Sequence, residues 1–190
     1  MLKPRVIPCL LVKDGGLVKT VNFQNPTYIG DPVNAVKLFN EKEADELFVL
    51  DIDSSRNNTD PDYELISQIA TECRMPLCYG GGIKTLEQAK KIVGLGVEKL
   101  AISSGVLNNP QLINDVANEI GSQSISVVID VKKSQHEGYE IFTHNALNKH
   151  KGNPFDLIPI IEKLGAGEIV INSIDNDGMM QGYDLDLAKR

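Results

Sequence analysis

Short apolar runs alternate along the chain with segments whose apolar residues recur at helical spacing. The runs are rich in β-branched residues and almost continuously apolar, which indicates strands buried on both faces. The predicted strands cover residues 5–11, 46–52, 76–79, 98–103, 125–130 and 168–174. The predicted helices cover residues 32–43, 61–73, 86–94, 110–120 and 154–164. Strict alternation of strand and helix predicts a parallel sheet with right-handed crossovers.

The starts of the predicted helices carry recognisable signals. Four of them have an Asp or Asn followed by Pro, an arrangement that suits the first turn because the missing proline N–H would lack a partner there. These pairs are Asp31-Pro32, Asp60-Pro61, Asn109-Pro110 and Asn153-Pro154. Thr85 with Gln88 has the spacing of a capping box.

An internal repeat narrows the fold further. Residues 30–53 align without gaps to residues 152–175, and the identical pairs include Glu46 with Glu168 and Asp53 with Asp175. Two βα units could also look alike simply because all such units do. If the repeat is real, a second four-unit half begins near the strand ending in Asp130, which predicts a (β/α)8 TIM barrel of two half-barrels. We expect residues 1–190 to be one barrel domain that reaches about the sixth unit, with units seven and eight missing.

Composition excludes several classes of function. The net charge of −7 argues against a general nucleic-acid or anionic-membrane surface. No apolar run approaches the roughly 20 residues that span a bilayer. The three cysteines lack metal-ligand spacing, which argues against a metal site and suits a reducing cytoplasm. We therefore expect a cytoplasmic protein with no metal and no cofactor.

In parallel barrels the reactive groups lie where the strands end. Three aspartates, Asp51, Asp130 and Asp177, occupy or follow such ends, and facing carboxylates suit proton transfer. Asp51 and Asp177 are predicted to bind the phosphate or substrate, although they could equally cap helices or hold loops. Asp130 ends an otherwise apolar predicted strand, which favours a catalytic function.

A phosphate site is predicted beside these acids. Gly81 and Gly82 lie in a glycine run that opens a helix, and Ser103 and Ser104 end the next strand. Backbone N–H groups and hydroxyls of this kind bind phosphate, although a triple glycine can also be only a tight turn. The segment 12–30 is long for a βα connection and carries Lys19, so a mobile lid over an anionic substrate is plausible.

Charged residues also recur at the opposite ends of the strands. They are Arg5, Glu46, Lys99 and Glu168. On spacing alone, a cluster of surface salt bridges is the simpler interpretation.

With these residues assembled, the chain resembles the cyclase subunit of imidazole glycerol phosphate synthase over all 190 residues. The resemblance rests on motifs including "GDPV", "GGGI", "GSQ", "GAGEI" and "SID.DG...GYD" in order along the chain. It implies a phosphorylated small-molecule substrate, and a glutaminase partner whose ammonia passes through the barrel to the substrate. The ring that gates this passage matches Arg5, Glu46, Lys99 and Glu168.

The resemblance also assigns roles around the substrate. The substrate-loop lysine matches Lys19, and the first phosphate site matches Gly82, Ser103 and Ser104, with Ser103 standing where the family usually has Asn. Ring closure in the family uses two aspartates as acid and base. One matches Asp130, and the other position is Leu11, which cannot transfer a proton.

The missing acid makes the chain similar to paralogues associated with surface-polysaccharide (lipopolysaccharide and O-antigen) biosynthesis. There the barrel and its glutaminase are thought to supply ammonia to a separate sugar amidotransferase, which converts an acetamido sugar to an acetamidino sugar. Two other interpretations stay open. The chain could be a genuine cyclase of histidine biosynthesis in which Asp51 or a neighbouring acid replaces position 11, or a non-catalytic scaffold that activates a glutaminase.

Overall fold

The computed structural model describes residues 4–135 and 138–190. They fall into two compact units. The first contains the residues up to Val18 together with Tyr28–Ala101, and the second contains Lys19–Thr27 together with Ile102–Arg190. The prediction of a single barrel domain over residues 1–190 stays a prediction.

Strands and helices alternate in both units, which confirms the predicted α/β class. The strands are β1 Cys9–Lys13, β2 Gly16–Val21, β3 Gln24–Gly30, β4 Leu47–Asp51, β5 Leu77–Gly80, β6 Lys99–Ile102, β7 Ile125–Lys133, β8 Tyr139–Thr143, β9 Asn148–His150 and β10 Glu168–Ser173. The helices are α1 Pro32–Glu41, α2 Tyr63–Glu72, α3 Leu86–Gly94, α4 Ser104–Asn108, α5 Gln111–Ile120, α6 Pro154–Leu164 and α7 Leu185–Lys189. A short 3₁₀ turn covers Ser122–Ser124.

Parallel strands form the centre of the first unit. β1 pairs with β4, β4 with β5, and β5 with β6, all in parallel. Their apolar side chains are buried on both faces, as at Val49, Cys78 and Leu100. This burial is what the continuous apolar runs predict, since helices must cover both faces of a parallel sheet.

The second unit is built around a parallel pair with antiparallel additions. β10 pairs with β7 in parallel over six residue pairs, from Glu168 with Ser126 to Ser173 with Val131. β8 pairs with β7 and with β9 in antiparallel orientation. The hairpin formed by β8 and β9 lies between the predicted strand 125–130 and the predicted helix 154–164, where no strand is predicted.

The expectation of a lid loop over residues 12–30 is wrong in its local structure, because most of this segment forms β2 and β3. Asp14 and Gly15 have φ of 50° and 74°, and Asn22 and Phe23 have φ of 50° and 62°. Positive φ at both central residues is the mark of a type I′ hairpin turn, and Asp-Gly is a common sequence for it. The Asp-Gly pair is therefore the sequence signal that predicts a hairpin here rather than a loop.

Three of the helix starts agree with the predicted caps, and two do not. Asp31, Thr85 and Asn153 accept backbone N–H groups as N-caps, and Thr85 forms its capping box with Gln88. The predicted start at Asp60-Pro61 is wrong. Asp62 is the N-cap of α2 instead, because its carboxylate accepts the N–H of Leu65. The predicted cap Asn109 is also wrong, because α5 begins at Gln111 with Pro110 as its N-cap and no side-chain capping bond.

Candidate functional site

A buried carboxylate organises the charged end of the first unit. Glu46 precedes β4 and is 1% exposed. Its Oε2 accepts from Arg5 Nη1 at 2.6 Å and from Lys99 Nζ at 3.0 Å. Its Oε1 is buried and has no hydrogen-bond partner among the described residues. Three of the four residues predicted for the gate are therefore brought together around one anion.

Leu11 lies on the same face of the sheet as this cluster. Side chains two residues apart on a strand share a face, and in-register neighbours on parallel strands point the same way. Leu11 pairs with Leu50, Leu50 with Gly80, and Gly80 with Ala101. This set of four residues, which we call the apolar row, places Leu11 among hydrocarbon groups rather than beside acids.

Gly80 makes the apolar row compact. A Cβ atom added to Gly80 would lie 2.7 Å from the carbonyl oxygen of Ala101 and 2.8 Å from Cδ2 of Leu50. The neighbouring strands leave no space for a larger side chain at position 80.

The two acids nearest to position 11 in the first unit have other partners. The carboxylate of Asp51 accepts the backbone N–H groups of Asp53 and Ser54 and the hydroxyl of Ser54. Asp53 is buried and forms an ion pair with Lys13, which raises the pKa of that lysine above its usual value. Both acids hold the loop that follows β4.

The glycines predicted for phosphate binding are required by local packing. Gly81 and Gly82 have φ of +123° and +72°, a backbone region that other residues rarely adopt. A Cβ at Gly81 would lie 2.6 Å from the carbonyl oxygen of Asp51. The N–H of Gly82 donates to the hydroxyl of Ser55 at 3.2 Å. The role of Gly81 and Gly82 as a tight turn is therefore visible, and phosphate binding stays a prediction.

Asp130 is the central acid of the second unit. It is half-buried on β7, and Nδ2 of Asn172 on β10 donates to its Oδ1 at 3.3 Å. Burial raises the pKa of Asp130 to about 7, the Asn172 bond opposes this, and the charge of Asp177 adds to it. A carboxyl that titrates near neutrality can act as an acid or a base under ordinary conditions.

Other predicted residues of the second unit are Glu168, at the start of β10, and Ser103 and Ser104, which follow β6. Glu168 begins β10, and Ser126 Oγ donates to its Oε2 at 3.4 Å. Ser103 is the N-cap of α4 and makes no side-chain capping bond, and Ser104 is the first residue of that helix. Both serines are half-buried.

The arm, defined as residues Lys19–Thr27 of β2 and β3, belongs to the second unit. Lys19 is exposed on β2. Asp177 Oδ2 accepts from Thr20 Oγ1 at 2.7 Å and from the backbone N–H of Phe23 at 2.9 Å. Asp177, predicted as a substrate-binding residue, thus contacts the arm.

Sequence reasoning missed two partners of the predicted acids. Asn172, the donor to Asp130, lies one residue before the strand end at which chemistry was expected. The repeat gives no signal for it, because the repeat aligns Asn172 with the apolar Leu50. Thr20 carries no motif signal, since its role depends on the hairpin that sequence reasoning did not predict.

Comparison with known proteins identifies the family. A family model described as "Histidine biosynthesis protein" matches residues 5–190. A protein of Leptospira interrogans, provisionally named imidazole glycerol phosphate synthase subunit HisF, is 56% identical over 191 residues, which cover all of this chain and 75% of that protein.

The chain belongs to the HisF-like family.

Two further members of the HisF-like family show its range. A Pseudomonas aeruginosa protein provisionally named subunit hisF2 is 53% identical, over all of this chain and 75% of its own length. The imidazole glycerol phosphate synthase subunit HisF of Exiguobacterium sibiricum is 40% identical, over all of this chain and 76% of its own length. The chain therefore spans about three quarters of the length of these family members.

Residues 4–135 and 138–190 contain neither a membrane-spanning helix nor a cluster of metal ligands. No helix in these ranges is long and apolar enough to cross a membrane. The same ranges contain no group of three or more His, Cys, Asp or Glu residues arranged to hold a metal ion.

The Glu46 cluster leads to a stability prediction. In Glu46→Gln the two cations lose their shared anion, and we expect the free energy of unfolding to fall by about 1–3 kcal/mol, the usual cost of leaving charged hydrogen-bonding groups unmatched. The exposed Glu41→Gln is the matched control, with an expected change within about 0.5 kcal/mol. Urea denaturation of both variants measures the difference. Equal small effects of the two substitutions would mean that the cluster contributes nothing to the fold.

Asp130 leads to a prediction about pH. The pKa of Asp130 is about 7 in the folded protein against an ordinary value of 3.8, so between pH 4 and pH 7 the folded state keeps a proton that the unfolded state releases. The contribution of Asp130 to stability therefore falls as pH rises through this window. Asp130→Asn cannot ionise, so it should gain stability relative to the native protein between pH 5 and pH 8. A stability difference that does not change with pH would contradict the raised pKa.

Proposed function

We propose that this protein pairs with a glutaminase and passes ammonia through its barrel without closing an imidazole ring itself. The ammonia would be used by a separate amidotransferase that converts an acetamido sugar to an acetamidino sugar in surface-polysaccharide biosynthesis. The observation that carries this proposal is Leu11 in the middle of β1, which continues to Lys13, beyond the predicted strand end at residue 11.

Leu11 removes one of the two acids that ring closure needs. Asp130 supplies the other, so a single proton-transfer group remains. Loss of a general acid or base typically costs about 10²–10⁴-fold in rate. Leu11 also lies in the apolar row, so the surface around position 11 is suited to an uncharged molecule rather than to an ionic step.

The nearby acids are poor substitutes for an aspartate at position 11. Asp51 uses its carboxylate to hold the backbone N–H groups of its own loop, and Asp53 is paired with Lys13. Either acid would have to break these bonds to act on a substrate. This observation weakens the interpretation as a histidine-pathway cyclase.

The Glu46 cluster supports ammonia handling. Arg5 and Lys99 both bind Oε2, which leaves the buried Oε1 as an acceptor without a partner among the described residues. Ammonia is a small hydrogen-bond donor that could use such an acceptor. Beyond the cluster, the same face of the first unit continues through Cys78 to the apolar row, where a neutral molecule meets no ionised group.

The names of the family members support assembly with another chain. Identity is 56% and 53% with proteins provisionally named as subunits HisF and hisF2, and 40% with one named HisF without qualification. All of these names contain the word "subunit", which for those proteins means an assembly with another chain. The glutaminase is the partner that we propose for this chain.

The second candidate is a genuine cyclase of histidine biosynthesis. Asp130 with its raised pKa and its Asn172 partner favours it, because this half of the acid and base pair is in place. A scaffold that only activates a glutaminase would need neither Asp130 nor Lys19. Direct assay separates these candidates.

The decisive assay supplies ammonium salt and the bis-phosphorylated ribulosyl substrate and measures formation of imidazole glycerol phosphate. We expect negligible activity for the native protein and a measurable gain for Leu11→Asp, which restores one acid and so part of the 10²–10⁴-fold loss. The apolar row should raise the pKa of the new carboxyl, so the gain should be larger at higher pH.

Leu11→Asn is the matched control, since it has the size and polarity of aspartate without the acid. It should stay inactive. Strong activity of the native protein would overturn the proposal and restore the histidine-pathway interpretation. Equal gains for Leu11→Asn and Leu11→Asp would show that a missing acid is not what limits the reaction.

A further inference from the structure

The arm is tied to the loop that follows β10, residues Ile174–Gly178, which we call the β10 loop. Thr20 Oγ1 and the backbone N–H of Phe23 both donate to Oδ2 of Asp177, at 2.7 and 2.9 Å. Thr20 is buried, so its hydroxyl bond is shielded from competing water. One carboxylate oxygen therefore holds both β2 and the turn of the arm.

Asn22 adds a second set of bonds between the same two segments. Its backbone N–H donates to the carbonyl oxygen of Asp177 at 2.9 Å. Its side-chain Nδ2 donates to the carbonyl oxygens of Ile174 at 3.0 Å and of Asp175 at 2.9 Å. The tip of the arm thus satisfies three backbone carbonyls of the β10 loop.

The backbones also approach closely at Gly178. A Cβ added there would lie 2.1 Å from the carbonyl oxygen of Thr20, so any side chain at this position would push the arm away. The arm occupies the space that a side chain at position 178 would need.

The turn of the arm depends on these partners. Asn22 tolerates positive φ, but Phe23 at φ 62° is a conformation that bulky residues rarely adopt. Such conformations persist where the surroundings fix them. The bond from the Phe23 N–H to Asp177 is one of the constraints that fix this one.

The charge of Asp177 fits this role better than substrate contact. A carboxylate near a phosphate would repel it, whereas the arm offers neutral donors that a carboxylate binds strongly. Lys19, the cation proposed to meet the phosphate, directly precedes Thr20 in β2. The position of Lys19 is therefore set by the bond that Thr20 makes.

We propose that Asp177 is a positioning residue: together with Thr20 it latches the arm onto the β10 loop and fixes where Lys19 is presented. Asp177 does not itself contact substrate. The consequence for Lys19 rests on the proposed function, but the latch does not, because its bonds form within this chain.

Amide hydrogen exchange of the whole protein, without partner or substrate, tests the latch. Thr20→Val keeps nearly the same shape and removes the hydroxyl, and Thr20→Ser keeps the hydroxyl as the matched control. We expect exchange at the Phe23 amide to rise about tenfold in Thr20→Val, the effect of losing one hydrogen bond to a charged group, and to stay within about twofold in Thr20→Ser.

A double substitution shows whether the two residues act through one bond. Asp177→Ala should accelerate Phe23 exchange at least as much as Thr20→Val, and the two changes together should add little to Asp177→Ala alone, because they remove the same interaction. The Val116 amide in α5 should keep its native rate in all variants. Tryptic cleavage after the exposed Lys19 should become faster in parallel.

Native exchange rates at Phe23 in both Thr20→Val and Asp177→Ala would overturn the proposal. So would equal acceleration at Phe23 and Val116, since it would mean general destabilisation. These outcomes are independent of the proposed function, which the ribulosyl assay with native protein decides separately.

Discussion

The in-register pairing of parallel strands is the constraint from which the rest of this structure follows. Because residues two apart share a face, Glu46, Phe48 and Leu50 on or beside β4 point the same way. Their neighbours on β1, β5 and β6 extend each position into a row across the first unit. Glu46 of the charged cluster and the apolar row lie on one face, with the level of Phe48 and Cys78 between them.

The second unit repeats this order with different chemistry at its end. Glu168 and Ser126 form the first level of β10 and β7, Val170 and Val128 the next, and Asn172 and Asp130 the third. The third level is therefore apolar around Leu11 in the first unit, whereas in the second unit it contains Asp130 hydrogen-bonded to Asn172. The proposal that ring closure is lost rests on this difference, because Leu11 has no proton-transfer group.

Much of this arrangement could be predicted from the sequence. The apolar runs predict the parallel strands because burial on both faces leaves few polar positions. The ends of the predicted strands then locate Asp130 and Leu11. The arm could not be predicted in the same way, because one of the bonds that fix Phe23 at positive φ comes from Asp177, 154 residues away in the chain. The contacts that Asp51 and Asp177 make within the chain could not be predicted either, because a carboxylate that holds a loop and one that meets a substrate have the same sequence pattern.

The fate of glutamine nitrogen tests the central claim most directly. Cells that contain this protein would be given glutamine labelled with ¹⁵N at its amide, with the gene present or deleted, and the label followed by NMR. The proposal predicts that deletion abolishes labelling of the acetamidino nitrogen in the surface polysaccharide while the histidine ring remains labelled. Loss of label from histidine, with the polysaccharide unchanged, would contradict it.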